Sequence, residues 1–157
     1  MICLKYNRNS RKELRMTEVK APQGLFEGSK FYFPVRIYYE DTDAGGIVYY
    51  ANYLKFAERA RTEFLRALGE GRVDEPTREK KGFIVRRAAA EYLKSAYLGD
   101  LLSVSCDVVE VKGASVEIRQ EIRRGEELLT EIKVTAVYFD FERMRPTRIP
   151  AEMLQKR

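Results

Sequence analysis

At 157 residues and 18.3 kDa the chain fits one domain, and its 45% hydrophobic and 34% charged residues fit a globular protein with a sizeable core, not a disordered or fibrous one. Residues 1–30 hold seven Lys or Arg and three Glu, so +4 of the +5 net charge lies there and only +1 in residues 31–157, which argues against a nucleic-acid-binding body. There is no histidine, which excludes Ser-His-Asp and Cys-His nucleophiles and imidazole-ligated zinc, and leaves Asp, Glu, Lys, Tyr or Cys as a base near neutral pH.

Residues 1–29 form a basic arm in which Pro22, Gly24 and Gly28 suit a linker, and residues 30–157 form the folded domain. The apolar opening Met1–Leu4 is too short for the core of a signal peptide, and no apolar run approaches the roughly 20 residues of a membrane helix. Cys3 and Cys106 are too few for a disulfide scaffold. A cytoplasmic protein is the expectation.

From Phe31 the run to Tyr39 alternates as a strand, with Val35, Ile37 and Tyr39 on one face and Arg36, Tyr38 and Glu40 on the other. The turn-rich cluster Glu40–Gly46 follows. A helix is predicted over Ala51–Leu68, because Tyr53, Ala57, Ala60, Phe64 and Leu68 recur at three- and four-residue steps. Asn52 or a neighbour is placed to cap its start, and Gly69 and Gly71 to end it. Residues 70–82 read as a connector. The stretch Phe83–Tyr97 is ambiguous between strand and helix, since Arg87–Leu93 favours helix by propensity.

Three strands are predicted over Leu101–Lys112, Ser115–Arg124 and Leu128–Phe141, linked through Gly113 and Gly125 as antiparallel hairpins. Ser103, Ser105, Asp107, Glu117, Arg119 and Glu121 give them a wet face. Pro146 and Pro150 bar the C-terminal segment from a central strand. The resulting fold class is α+β: an antiparallel sheet around one long helix, with an edge that invites self-association.

Asp41 and Asp43 lie between a strand end and a helix start. Free amides and the positive dipole end there can stabilise an oxyanion, and a nearby carboxylate can act as base or nucleophile. Gly45 and Gly46 allow close backbone approach. The plainer alternative is a turn whose two Asp side chains cap backbone groups. A calcium loop is a weaker reading still, since the D-x-D pair lacks the remaining oxygen ligands at the required spacing. Glu58 and Glu63 on the helix are expected to form surface pairs, for example Arg59 with Glu63.

The run Val35-Arg36-Ile37-Tyr38-Tyr39-Glu40-Asp41-Thr42-Asp43-Ala44-Gly45-Gly46-Ile47-Val48-Tyr49, with Ala51-Asn52-Tyr53 and Glu58–Glu63 after it, closely resembles the YbgC-like acyl-CoA thioesterases, hotdog-fold relatives of 4-hydroxybenzoyl-CoA thioesterase. The resemblance is strong over residues 33–69, looser over 83–150, and absent from the arm.

It implies a hotdog fold, with Phe83–Tyr92 as strand. It also implies an acyl-CoA thioesterase in which Asp43 is the catalytic carboxylate. Many members carry His where this chain has Tyr50, and in the 4-hydroxybenzoyl-CoA branch a Tyr at this place offers its backbone amide to the thioester carbonyl. Tyr50 is therefore assigned to the catalytic site. Gly45, Gly46 and Val48 are expected at the substrate, and Arg86, Arg87 and Lys94 near the phosphates of coenzyme A. No metal or redox cofactor is implied, and the expected assembly is a homotetramer built from dimers. The alternative is a non-catalytic acyl-CoA-binding hotdog protein. Hotdog dehydratases are disfavoured, since their usual chemistry relies on His.

Overall fold

A computed structural model describes residues 22–69 and 80–154. The strands are β1 (Leu25–Glu27), β2 (Lys30–Arg36), β3 (Lys81–Tyr92), β4 (Leu101–Lys112), β5 (Ser115–Arg124), β6 (Glu127–Asp140) and β7 (Arg145–Pro146), and the helix is α1 (Tyr50–Ala67). They form one antiparallel sheet in the order β1-β2-β4-β5-β6-β3, with β7 beside the end of β6.

The helix exists because its apolar residues share one face. Tyr53, Phe56, Ala57, Ala60 and Phe64 are buried against the concave side of the sheet. From the sheet, the same core takes Phe31, Phe33 and Val35 of β2, Leu102, Val104 and Cys106 of β4, and Ile132 and Val134 of β6. The pairings Phe33 with Val104 and Ile118 with Val134 keep these side chains in register on one face, so a one-residue slip would expose the set.

Three details depart from expectation. Leu25–Glu27, assigned to the arm, form β1, and Phe26 packs edge-on to Phe31 at 5.2 Å, so the sheet begins before residue 30. The rest of the arm, residues 1–21, lies outside the described residues, as do Gly71 and Pro76 of the connector. The strand from Phe31 ends at Arg36, because Tyr39–Asp41 wind into a single 3-10 turn that leaves Tyr39 82% exposed. Ser105 is buried instead of wet, and its Oγ accepts the Glu121 amide at 2.9 Å.

Phe83–Tyr92 is strand, as the family resemblance implied. The full-length ladder from Lys81 opposite Asp140 to Tyr92 opposite Thr130 overrides the helix propensity of Ala88–Ala90. Strand β3 is also an edge: among the described residues it pairs with β6 alone.

Candidate active site

The loop from Asp41 to Tyr49 is fixed almost wholly by backbone. Thr42 and Val48 form an antiparallel bridge, Asp43 N donates to Ile47 O at 2.9 Å, and Gly46 N returns to Asp43 O at 3.0 Å. Gly46 has φ +75°, a conformation that L side chains rarely adopt. A Cβ on Gly45 would sit 3.1 Å from Asp43 Oδ1, so glycine there keeps the carboxylate uncrowded.

Both Asp side chains cap backbone groups of the turn, as the plainer alternative has it. Asp41 is buried and structural: its Oδ2 accepts the Tyr38 amide at 2.9 Å. Asp43 is exposed, and its Oδ1 accepts the Gly45 amide at 2.8 Å in an Asx turn. Asp43 Oδ2 takes no hydrogen bond among the described residues. One oxygen is therefore anchored, and the other keeps its lone pairs free of hydrogen bonds from the described residues.

Helix α1 starts beside this carboxylate. Its N-cap, Tyr49, makes no side-chain capping bond, and the amides of Tyr50 and Ala51 have no acceptor among the described residues. Asn52 does not cap the helix. Its Nδ2 donates to Asp41 O at 2.9 Å, and its amide bonds Tyr49 O at 2.9 Å. Uncapped amides at a helix start can hold developing negative charge.

An aromatic cluster surrounds these amides. The Tyr49 and Tyr50 rings lie 4.7 Å apart, Tyr92 approaches Tyr50 at 6.1 Å and Tyr53 at 5.7 Å, and Tyr50 is 59% exposed. The Tyr49 phenol is held above its ordinary pKa, first by its hydrogen bond with Tyr50, then by the Tyr50 and Asp43 charges and burial. Its ionisation would place a second negative charge beside Asp43. The buried Tyr53 hydroxyl accepts the Ala96 amide at 2.9 Å, and burial also raises its pKa.

Residues 95–100 support the loop from behind. Val48 N donates to Ala96 O at 2.9 Å, and Ile47 bridges Tyr97. Arg124 holds that segment: Nη1 donates to Asp100 Oδ2 at 2.7 Å, Nη2 to Glu127 Oε2 at 2.6 Å, and the guanidinium lies over the Tyr97 ring at 5.6 Å.

The other expected residues take varied places. The Gly45, Gly46 and Val48 amides are all engaged within the loop or with Ala96, and the Val48 side chain is in the core. Arg86 and Arg87 are exposed on β3 and form no ion pair among the described residues, whereas Lys94 binds Glu127 Oε1 at 2.7 Å. Glu63 pairs with Arg66, not Arg59, which instead lies over Phe56 at 5.9 Å. Tyr92 and Arg124 are positioning residues that sequence patterns did not single out, and Asn52, singled out as a cap, instead ties the helix to Asp41. No group of His, Cys, Asp and Glu able to hold a metal occurs among the described residues, and no described helix is long and apolar enough to cross a membrane.

The profile of the thioesterase-like superfamily matches residues 37–156, which span the Asp43 loop, α1 and β3–β7. The chain belongs to that superfamily. It is 44% identical over 123 residues to the acyl-CoA thioesterase YbgC of Haemophilus influenzae, covering 78% of this chain and 90% of that one. It is 40% identical over 125 residues to the acyl-CoA thioester hydrolase YbgC of Escherichia coli O157:H7, covering 79% and 92%. A solved probable thioesterase from Bartonella henselae superposes with a TM-score of 0.64 at 34% identity, over 76% of this chain and 96% of that one. SAV2348 of Staphylococcus aureus, solved in complex with CoA, shares the fold with a TM-score of 0.73 at 15% identity, over 86% and 83%. The family, the hotdog fold and the enzyme class of thioester hydrolase expected from the Val35–Glu63 run all stand.

Proposed function

We propose that this chain hydrolyses acyl-CoA thioesters, with Asp43 at the reaction centre and the first amides of α1 as the oxyanion site. The observation that carries this is the half-free Asp43 carboxylate beside uncapped helix amides. Water adds across the C–S bond: its oxygen joins the acyl carbon, and its proton ends on the departing thiolate, giving a free acid and coenzyme A. Asp43 either takes the water proton or attacks the carbonyl itself and is released by water. Negative charge gathers on the carbonyl oxygen in both routes, where the Tyr50 amide meets it. No metal or redox partner is required.

Gly45 and Gly46 keep side chains away from the thioester. Arg86 and Arg87 meet the phosphates of coenzyme A, with Lys94 shared between those phosphates and Glu127. The unpaired edge of β3 takes a second copy of the chain, and two such dimers form a tetramer. Light scattering at micromolar concentration tests this assembly, and a stable monomer would refute it.

Thiol release from a panel of acyl-CoA esters tests the activity. Turnover of at least one ester is expected. Binding without release from any ester would instead favour a non-catalytic acyl-CoA-binding protein, to which the absence of histidine also points.

A further inference from the structure

The seam between α1 and β3 is uneven along its length. Tyr92, at one end of β3, closes on Tyr50 and Tyr53. Ala90 and Ala88 follow on the same face, opposite the buried Ile132 and Val134 of β6, and their small side chains leave the middle of the seam shallow. Val85 continues that face and is 53% exposed. Beyond it lies a cavity of about 180 Å³ between Glu58, Arg61 and Thr62 of α1 and Phe83, Val85 and Ala136 of the sheet. An apolar cavity of about 150 Å³ accommodates benzene, so this one has room for the end of an acyl chain.

Arg61 is out of keeping with those walls. It reaches across the concave face of the sheet, where Nη1 donates to Gln120 Oε1 at 2.6 Å, and it makes no ion pair and no other hydrogen bond among the described residues. Burial depresses its pKa, although the side chain stays partly open to solvent. Gln120 can offer Arg61 its Oε1 alone, since Nε2 is itself a donor and serves Ala57 O at 3.0 Å, Ser105 O at 3.3 Å and Cys106 Sγ at 3.0 Å. A guanidinium has several N–H donors, and among the described residues only Nη1 is taken up here, which leaves the others open to a ligand in the cavity. The Glu58 carboxylate, which accepts from Thr62 Oγ1 at 2.7 Å, borders the same cavity. It balances the charge, so a neutral acceptor suits the vacant donors better than a second anion.

We propose that this cavity is the far end of the acyl site and that Arg61 selects acyl groups carrying a hydroxyl or carbonyl oxygen there. The proposal rests on the acyl-CoA hydrolase function above. Arg61 leans back to the level of Ala57, through Gln120, and that level lies about 10 Å from Tyr50 at 1.5 Å per residue. An extended chain advances roughly 1.3 Å per C–C bond, so an acyl group of roughly eight to ten carbons spans the interval.

The test compares ω-hydroxydecanoyl-CoA with decanoyl-CoA by thiol release and by calorimetric binding. The wild type should prefer the hydroxylated ester by about 10- to 100-fold, the range of a hydrogen bond to a charged group, and Arg61→Met should abolish the preference. Ala136→Leu, which fills the cavity from the sheet side and leaves the Arg61 residue in place, should lower turnover of both esters relative to propionyl-CoA. Equal use of the two esters by the wild type, or a preference that survives Arg61→Met, would overturn the proposal. If no ester releases thiol, the hydrolase function fails, but the calorimetric affinity ratio still decides the subsite: equal affinities sink it.

Discussion

Asn52 Nδ2 donates to the carbonyl oxygen of Asp41 at 2.9 Å, and this bond ties the first turn of α1 to the chain that carries Asp43. The same carbonyl accepts the Tyr49 amide at 2.9 Å. The carboxylate loop and the helix amides are thus two ends of one buried joint, which is why a loop of mostly exposed residues keeps one shape.

Asn52→Ala should cost about 1–3 kcal/mol, the penalty for removing one partner of a buried hydrogen bond. Turnover should fall further than the loss of folded protein explains, because Asp43 and the Tyr50 amide lose their common anchor. Chemical denaturation beside activity per folded molecule measures both. Full activity at unchanged stability would show that the joint is not needed.

Arg124→Met should lower turnover by about 10- to 100-fold, the scale of a small misplacement of reacting groups. The route is indirect: Arg124 holds Asp100 and Tyr97, residues 96 and 97 hold Ile47 and Val48, and those hold Asp43. Arg124→Lys should rescue only part of the loss, since a single ammonium cannot bind Asp100 and Glu127 as a fork and also stack on Tyr97. The loss should fall on kcat more than on KM. Complete rescue by Lys would reduce the contact to simple charge.

Much of this was legible in the chain. The stripe Tyr53–Phe64 declared the helix to within a residue, and Gly113 and Gly125 punctuated the hairpins of β4–β6, because local spacing decides those elements. The Asp41–Gly46 cluster marked the candidate site. Strand β3 was ambiguous by local pattern, since its alanines favour helix and only pairing along β6 makes it strand. Side-chain partners were the least legible. Arg59 and Glu63 had suitable helical spacing, yet Phe56 and Arg66 won them by proximity that spacing does not rank. The link from Arg61 through Gln120 to Ala57 joins residues far apart in sequence, and no local signal announces it.

Cys106 gives a pH-dependent prediction. Burial pushes its thiol up to about 12, although Arg61 and the Gln120 hydrogen bond pull it down. The unfolded thiol titrates near 8.5, so from about pH 8.5 upward the unfolded state loses a proton that the folded state keeps until about 12. Folding stability should therefore decline over that window by up to about 1.4 kcal/mol per pH unit from this group. In a Cys3→Ser background, Cys106→Ala should remove that share of the slope in denaturation series. The native thiol should also resist Ellman's reagent until unfolding. Rapid labelling of the folded protein would contradict its burial.

The most direct measurement is the turnover of Asp43→Asn on the best acyl-CoA ester of the wild type, at matched folded concentration. The substitution keeps the size of the side chain and an oxygen for the Gly45 amide, but it removes the negative charge and the free basic oxygen. A loss of about 10²–10⁴ in kcat is expected, the usual contribution of a general base, with little change in thermal stability. Tyr50→Phe should cost far less, because the role proposed for Tyr50 belongs to its backbone amide. Wild-type turnover by Asp43→Asn would contradict the account and move the search to Glu58.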